Sequence, residues 1–208
     1  MLSPETLVAF LSVSLLLAFI PGPDNLFVLT QSTMQGWRVG ISVTLGLCMG
    51  LIVHTTAVAL GVAVIFQQSE TAFTILKACG ALYLLYLAYG AFRAGPAALS
   101  LRGDAPQPYG RMVARGLVMN VTNPKVAIFF LAFLPQFVSP AAGPVTLQVA
   151  LLGLLFILAT LVAFSSIALL AGAISQRLLR SERAQIWLNR FAGAVFVGLA
   201  AKLATAHR

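Results

Sequence analysis

Apolar residues run along this chain in six long blocks, roughly Thr6 to Thr30, Val39 to Phe66, Ala72 to Phe92, Gly116 to Val138, Val145 to Gly172 and Ile186 to Ala206. Each is long enough for a helix to cross the hydrocarbon core of a bilayer, which takes about 20 residues. Apolar side chains occupy the whole helical circumference of these blocks instead of one stripe, which argues against a water-soluble bundle. The pattern predicts an all-α polytopic membrane protein with six transmembrane helices. Two blocks are interrupted: the first by AFIPGPDNLFVL (Ala18 to Leu29), the fourth by NVTNPKVAIFF (Asn120 to Phe130).

The polar connections alternate in charge. The first carries Arg38, the third Arg93, Arg102, Arg111 and Arg115, and the fifth Arg177, Arg180 and Arg183, whereas the second (QQSE) and fourth (SPAAGP) carry no Lys or Arg. By the positive-inside rule, loops one, three and five face the cytoplasm. Six spans then put both termini outside; a re-entrant first segment would leave the N-terminus inside. Composition agrees with a lipid environment: 60% of the 208 residues are hydrophobic and 9% charged, against about 25% charged in soluble domains. The basic excess, 13 Lys and Arg against 5 acidic residues, sits in short loops and reads as topology signalling, so no nucleic-acid partner is expected. The first block lacks a basic flank and a small-residue cleavage pattern, so it is expected to be retained as a span. Cys48 and Cys79 both lie inside apolar blocks, without a CxxC pair, and read as buried thiols.

The halves of the chain echo each other. KACGALYLLYLAYGA from Lys77 aligns with RFAGAVFVGLAAKLA from Arg190, matching Gly80 to Gly193, Ala81 to Ala194 and Tyr83 to Phe196; Pro23-Asp24 finds a counterpart in Pro124-Lys125. A duplicated three-span unit enters the membrane in opposite senses. The expected architecture is therefore a single transporter domain of two inverted three-helix repeats, about 1–93 and 111–208, joined by a cytoplasmic linker at about 94–110. In such proteins the site lies at the repeat interface, beside Gly/Pro-interrupted helices.

The interruptions carry the candidate chemistry. Pro21 and Pro23 each remove a backbone donor, Gly22 between them is conformationally free, and Pro124 breaks the fourth block. Freed carbonyls at membrane depth must face protein or water. Asp24 is the acidic residue placed inside a span away from its ends, a position that demands a partner or a protonation role. Lys125, at similar depth in the other half, is its expected partner, with Asn25 and Asn123 flanking the two. Either a substrate or proton site or a structural ion pair satisfies this pattern. In the second span, Gly46, Gly50, His54, Ala57 and Gly61 share one helical face suited to close packing. His54 on that face fits a proton relay or a neutral hydrogen bond between helices. Lys77 and Arg190 read as snorkelling residues, and Tyr83, Tyr86 and Tyr89 as packing or interface side chains.

The PGPDNLFVL, GLIVH, KACGALYLLYLAYGAFR and GLVMNVTNPKVAIFFLAFLPQFV segments together resemble the LysE/RhtB-type exporters, carriers of amino acids and related metabolites in the bacterial inner membrane. The resemblance covers nearly the whole chain. It implies efflux of a small-molecule substrate such as threonine, homoserine, leucine or lysine, driven by the proton motive force with the proton as coupling ion. The family's motif positions fall on Pro21, Gly22, Pro23, Asp24, Asn123, Pro124 and Lys125. Members often carry Asn or Ser after the Gly-Pro pair, so Asp24 stands open between a proton carrier and a residue that tunes the substrate. The chain is not expected to be an enzyme or to hold a cofactor or metal. Rival readings are a thiol-redox membrane enzyme with three-span repeats, which would place its cysteines at the broken helices, and a small-solute channel, which would need a continuous polar lining. Apolar stripes on several spans could bury a homodimer contact or face the lipid bilayer.

Overall fold

A computed structural model describes residues 2–68, 70–96, 107–171, 173 and 181–205. Among the described residues there are eight α-helices and no strand: α1 (Pro4–Phe19), α2 (Pro23–Gln35), α3 (Trp37–Gln68), α4 (Glu70–Arg93), α5 (Tyr109–Val121), α6 (Pro124–Ile128), α7 (Val145–Leu169) and α8 (Glu182–Thr205). The helices α3, α4, α7 and α8 are each long and apolar enough to cross a membrane. The pair α1 and α2 is bent by 58°, and α5 and the segment from Pro124 to Phe137 by 51°; each pair completes one further span. The chain is a six-span, all-α membrane protein whose first and fourth spans are broken.

Several boundaries differ from the sequence expectation. The first span extends to Gln35, because the turn before α3 is made by Gly36 alone, at a φ of 93° that favours glycine. The fourth begins at Tyr109 rather than Gly116, so Arg111 and Arg115 belong to α5 and not to a loop. Arg115 lies over the Phe27 ring, 4.5 Å from its centroid, which lets a charged residue occupy the first turns of a span. Beyond α6 the chain widens into a π turn (Phe129–Phe133) and then tightens into a 3-10 turn (Leu134–Phe137) around Pro135. Arg102, Arg177, Arg180, Gly172, Ala206 and linker residues 97–106 lie outside the described residues.

The arginines that are described gather at one end. The side-chain oxygen of Gln35 accepts from the Gln107 backbone N–H at 3.1 Å, joining the end of α2 to the start of α5. Asn189 of α8 donates to the carbonyls of Ala94 and Gly95 just past α4. The opposite end brings together Glu5, Gln136, Ser139 and Lys202.

Helix contacts fall into pairs that exchange when spans one, two and three are swapped for four, five and six. Thus α3 packs on α5 as α7 packs on α1, while α3 meets α7 and α4 meets α8. Gly80 of α4 meets Leu203 of α8, and Gly193 of α8 meets Phe92 of α4, so the two matched glycines serve the same antiparallel contact from opposite directions. About half of the apolar stretch of α3 and of α7 is buried but only 17% of that of α4, which makes α3 and α7 central and α4 peripheral.

The small-residue face of α3 is used along part of its length. At Gly46 the backbone of Val113 and Leu117 fills the space a Cβ would need, and Gly116 of α5 returns the contact against Val43 and Gly46. At Gly50 the occupant is Asn120. Gly61, expected on the same packing face, has no neighbouring atom within 4 Å of a Cβ position, and Ala57 is exposed. The reason is geometric: α5 ends at Val121 and the chain bends away, so the α3 face has lost its partner one turn beyond Asn120.

Gly46→Ala should therefore destabilise the fold by about 1–3 kcal/mol, the usual cost of overpacking, whereas Gly61→Ala should be neutral. Thermal unfolding of the detergent-solubilised protein reads the difference, and equal melting temperatures for the two variants would contradict this packing.

Candidate functional site

At the first break, α1 ends with the Ile20 N–H on the Leu16 carbonyl, and Pro21 and Pro23 then withhold the next donors. Asn25 repairs part of the loss by donating its amide to the Ala18 carbonyl at 2.6 Å. Gly22 is extended, with φ −164° and ψ 178°, a conformation open to any residue. Space rather than angle favours glycine there, since a Cβ would come to 3.2 Å from Lys125 Nζ and push the lysine head aside by a few tenths of an ångström. Pro23 opens α2, and Asp24 sits in its first turn, where the helix dipole favours a negative charge.

The second break has the same grammar. Asn123 caps α6 by accepting the Lys125 backbone N–H on Oδ1 at 3.0 Å, and its Nδ2 donates to Asp24 Oδ2 at 2.9 Å. Lys125 reaches the other way, donating Nζ to the Ile20 carbonyl at 3.4 Å. Each break thus supplies a partner to the other. Asp24 and Lys125 are brought to one place, but they meet through Asn123 and the Ile20 carbonyl, not as the direct ion pair the sequence suggested.

His54 belongs to this framework. Pro124 deprives the Asn120 carbonyl of its usual donor four residues on. That oxygen accepts instead from the Asn123 N–H at 3.0 Å and from His54 Nε2 at 3.1 Å. A carbonyl can only accept, so Nε2 carries the proton. The imidazole also lies against Phe130, with centroids 5.6 Å apart. Of the two readings for His54, the geometry matches the hydrogen bond between helices.

Two cavities meet at Lys125. The inner one, about 20 Å³, is walled by Leu17, Leu47, Leu51, Phe156 and Phe164, with Asp24, Asn120, Lys125 and Thr160 as its polar members. It has room for one or two waters. The outer one, about 530 Å³, runs from Arg93 and Asn189 at the arginine-rich end down to Pro21–Pro23 and Asn123–Lys125. Tyr83, Tyr86 and Tyr89 line this vestibule rather than packing in a core, because α4 is peripheral. On the far side of the breaks, Phe10, Phe129, Phe130, Phe133, Phe137 and Phe156 stack with neighbouring centroids 5.1–6.1 Å apart. Lys202 caps that stack, 4.6 Å from the Phe137 ring centroid.

Burial at the inner cavity is nearly complete: Asp24 is 4% exposed and Asn120 3%. Asp24 Oδ1 and Asn120 Oδ1 have no hydrogen-bond partner there, and Asn25 Oδ1, outside the cavity lining, has none either. Sequence reasoning missed Asn120 and Thr160. Asn120 had a readable signal, an amide one helical turn before a proline inside an apolar run; Thr160, a lone hydroxyl in LATLVAF, had none. Cys48 is buried in α3 and Cys79 exposed on α4; neither lines the breaks or the cavities between them.

A two-break, six-span protein of this kind has relatives. The family profile described as LysE type translocator matches residues 15–207. The chain belongs to the LysE type translocator family. It is 34% identical over 200 residues to a homoserine/homoserine lactone efflux protein of Salmonella typhimurium (strain LT2), covering 96% of both chains. The protein of the same description from Salmonella typhi matches equally, at 34% over 96% of each. No solved structure matches at a significant level. Family membership makes this a multi-pass membrane transport protein, and it directs attention to the cross-linked breaks as the place where a translocator would handle its cargo.

The His54 geometry is testable within that setting. His54→Gln keeps a donor for the Asn120 carbonyl and should retain most transport, with its pH profile unchanged. His54→Leu leaves the carbonyl with the Asn123 N–H alone and should reduce activity about fivefold, in line with the ~0.5–1.5 kcal/mol net worth of one hydrogen bond. A proton-relay role would instead predict equal loss in both variants.

Proposed function

We propose that this translocator exports amino acids or closely related small amines across the bacterial inner membrane, as a secondary carrier driven by the proton motive force. The observation that carries the reading is the arrangement at the breaks. A buried carboxylate with one oxygen unpartnered lies in the inner cavity, which meets at Lys125 an outer cavity extending to the arginine-rich end, with an aromatic stack on the other side. Such an arrangement suits a carrier with a central site reached from one side at a time, and the paired helix contacts suit two inverted repeats, about 1–93 and 111–208, rocking about it. The arginine-rich end is assigned to the cytoplasm by the positive-inside rule. In the conformation described, the vestibule then faces the compartment from which an exporter loads.

Asp24 offers a physical basis for coupling. A single carboxylate can hold a proton or a substrate's ammonium but not both, so a carrier that swaps one for the other moves them in opposite directions. The Salmonella relatives are named for homoserine and homoserine lactone, which share an α-amino group and differ at the carboxyl; the same compounds are the first substrates to try here.

In proteoliposomes the purified protein should catalyse counterflow of such a substrate and respond to an imposed pH gradient. Protons and amine compete for Asp24, so apparent affinity should fall as pH is lowered. Asp24→Asn should remove that pH dependence along with proton-driven accumulation. An unaltered pH dependence in Asp24→Asn would refute the coupling role, and flux without counterflow would indicate a pore.

A further inference from the structure

The inner cavity, bordered by Lys125 and Thr160 as well, keeps open acceptors. Its two unpartnered polar atoms, Asp24 Oδ1 and Asn120 Oδ1, are both acceptors, and both side chains are more than nine-tenths buried. Carboxylate and amide oxygens cannot donate, whereas a primary ammonium presents three donors and no acceptor. The second Asp24 oxygen is already taken by Asn123, which fixes the carboxylate and leaves Oδ1 directed to other company. The room available, about 20 Å³, suits a head group and not a whole amino acid, and the other walls are mostly aliphatic or aromatic.

Lys125 is placed differently. Its Nζ already has a partner in the Ile20 carbonyl, at the carbonyl end of α1 where a positive charge is favoured. It borders both cavities, so its remaining donors are available to a group lying toward the vestibule. Lys125 thus engages one of its three donors and Asp24 one of its two carboxylate oxygens.

Resting on the exporter reading above, we infer that Asp24 and Asn120 form a primary-ammonium site that every substrate must fill, while Lys125 supplies an auxiliary contact to a carboxylate. The transported class is then small primary amines whose carboxyl group is free, esterified or closed into a lactone. Compounds that keep the carboxylate but lose the ammonium fall outside it.

Counterflow in proteoliposomes of the full chain tests this with competitors: homoserine, homoserine lactone, N-acetylhomoserine and 2,4-dihydroxybutanoate, in which a hydroxyl replaces the amine. Homoserine and its lactone should compete. The N-acetyl and dihydroxy compounds should be weaker by about tenfold or more, the effect of losing a charge-assisted hydrogen bond at a buried site. Lys125→Met removes the Ile20 contact for both substrates, so the readout is the ratio: homoserine should be weakened about tenfold more than the lactone. The competitor series uses the unaltered protein, so its result does not depend on how a variant folds. The inference is overturned if dihydroxybutanoate competes as well as homoserine, or if Lys125→Met weakens homoserine and lactone alike. Counterflow of other amino acids with homoserine inert would leave the exporter reading standing, and the same comparison is then made on the amino acid found, its methyl ester, its N-acetyl form and its hydroxy acid. Absence of counterflow for every amino acid overturns the exporter reading and this site with it.

Discussion

Irregular backbone inside a membrane has no water to turn to, and that constraint organises this protein. Lipid cannot satisfy a carbonyl stripped of its donor by proline, so the partner must come from the protein itself. Here the partners are exchanged between the halves. Lys125, beside the Asn-Pro break, serves the carbonyl of Ile20 at the Pro-Gly-Pro break, and Asn123 donates to Asp24 in return. His54 from the second span joins the Asn123 N–H on the Asn120 carbonyl, which Pro124 deprives of its helical donor. Neither broken span is complete without residues from the opposite half, which is why the breaks lie at the interface between the halves and not out in the lipid.

This mutual repair also explains the positions of the glycines. The lysine head that bonds Ile20 lies against Gly22, where a Cβ would crowd it at 3.2 Å. Asn120 reaches the inner cavity because Gly50 lets its side chain lie against α3, and α5 reaches α3 because Gly46 and Gly116 allow backbone to meet backbone. Close helix packing driven by small residues is the expected route where the hydrophobic effect cannot draw helices together. In this molecule the packing is subordinate to the site. The tight contacts cluster along the stretch of α3 that faces α5, and the same face is unused at Gly61.

Much of this was legible in the sequence. Block length gave the spans, and proline in matched apolar segments gave the breaks, because both signals are local and strong. The approach of Asp24 and Lys125 followed from the cost of leaving either charge alone at depth. What did not follow was the directness of their meeting. An asparagine beside a proline has two faces, and only the fold reveals that Asn123 caps its own helix with the oxygen while its amide takes Asp24. Gly22 looked like a hinge because glycine usually signals backbone freedom, yet its angles are ordinary and its neighbours are not. The tyrosines of the third span read as packing because their spacing fits a helix face; whether that face meets protein or a vestibule depends on α4 being peripheral, which no local pattern encodes.

The two sides of the breaks differ in a way that bears on how such a molecule can move. Toward the arginine-rich end the walls are a peripheral helix, polar tyrosine tips and a vestibule of about 530 Å³. On the other side, six phenylalanines from α1, α7 and the segment after α6 pack ring on ring, and the backbone among them passes through a π turn into a 3-10 turn. Single π turns inside helices are often found at functional sites, since they accommodate an extra residue without ending the helix. A stack of rings is a weaker lock than a backbone crossing: it holds by dispersion and edge contacts of about 0.5–1.5 kcal/mol per pair, and rings can turn without leaving the core. The α3–α5 crossing, by contrast, is backbone against backbone and has no such slack. On the proposed reading, opening toward the far side falls to the aromatic stack and its π turn, while the glycine crossing and the exchanged hydrogen bonds keep Asp24 in place as access changes.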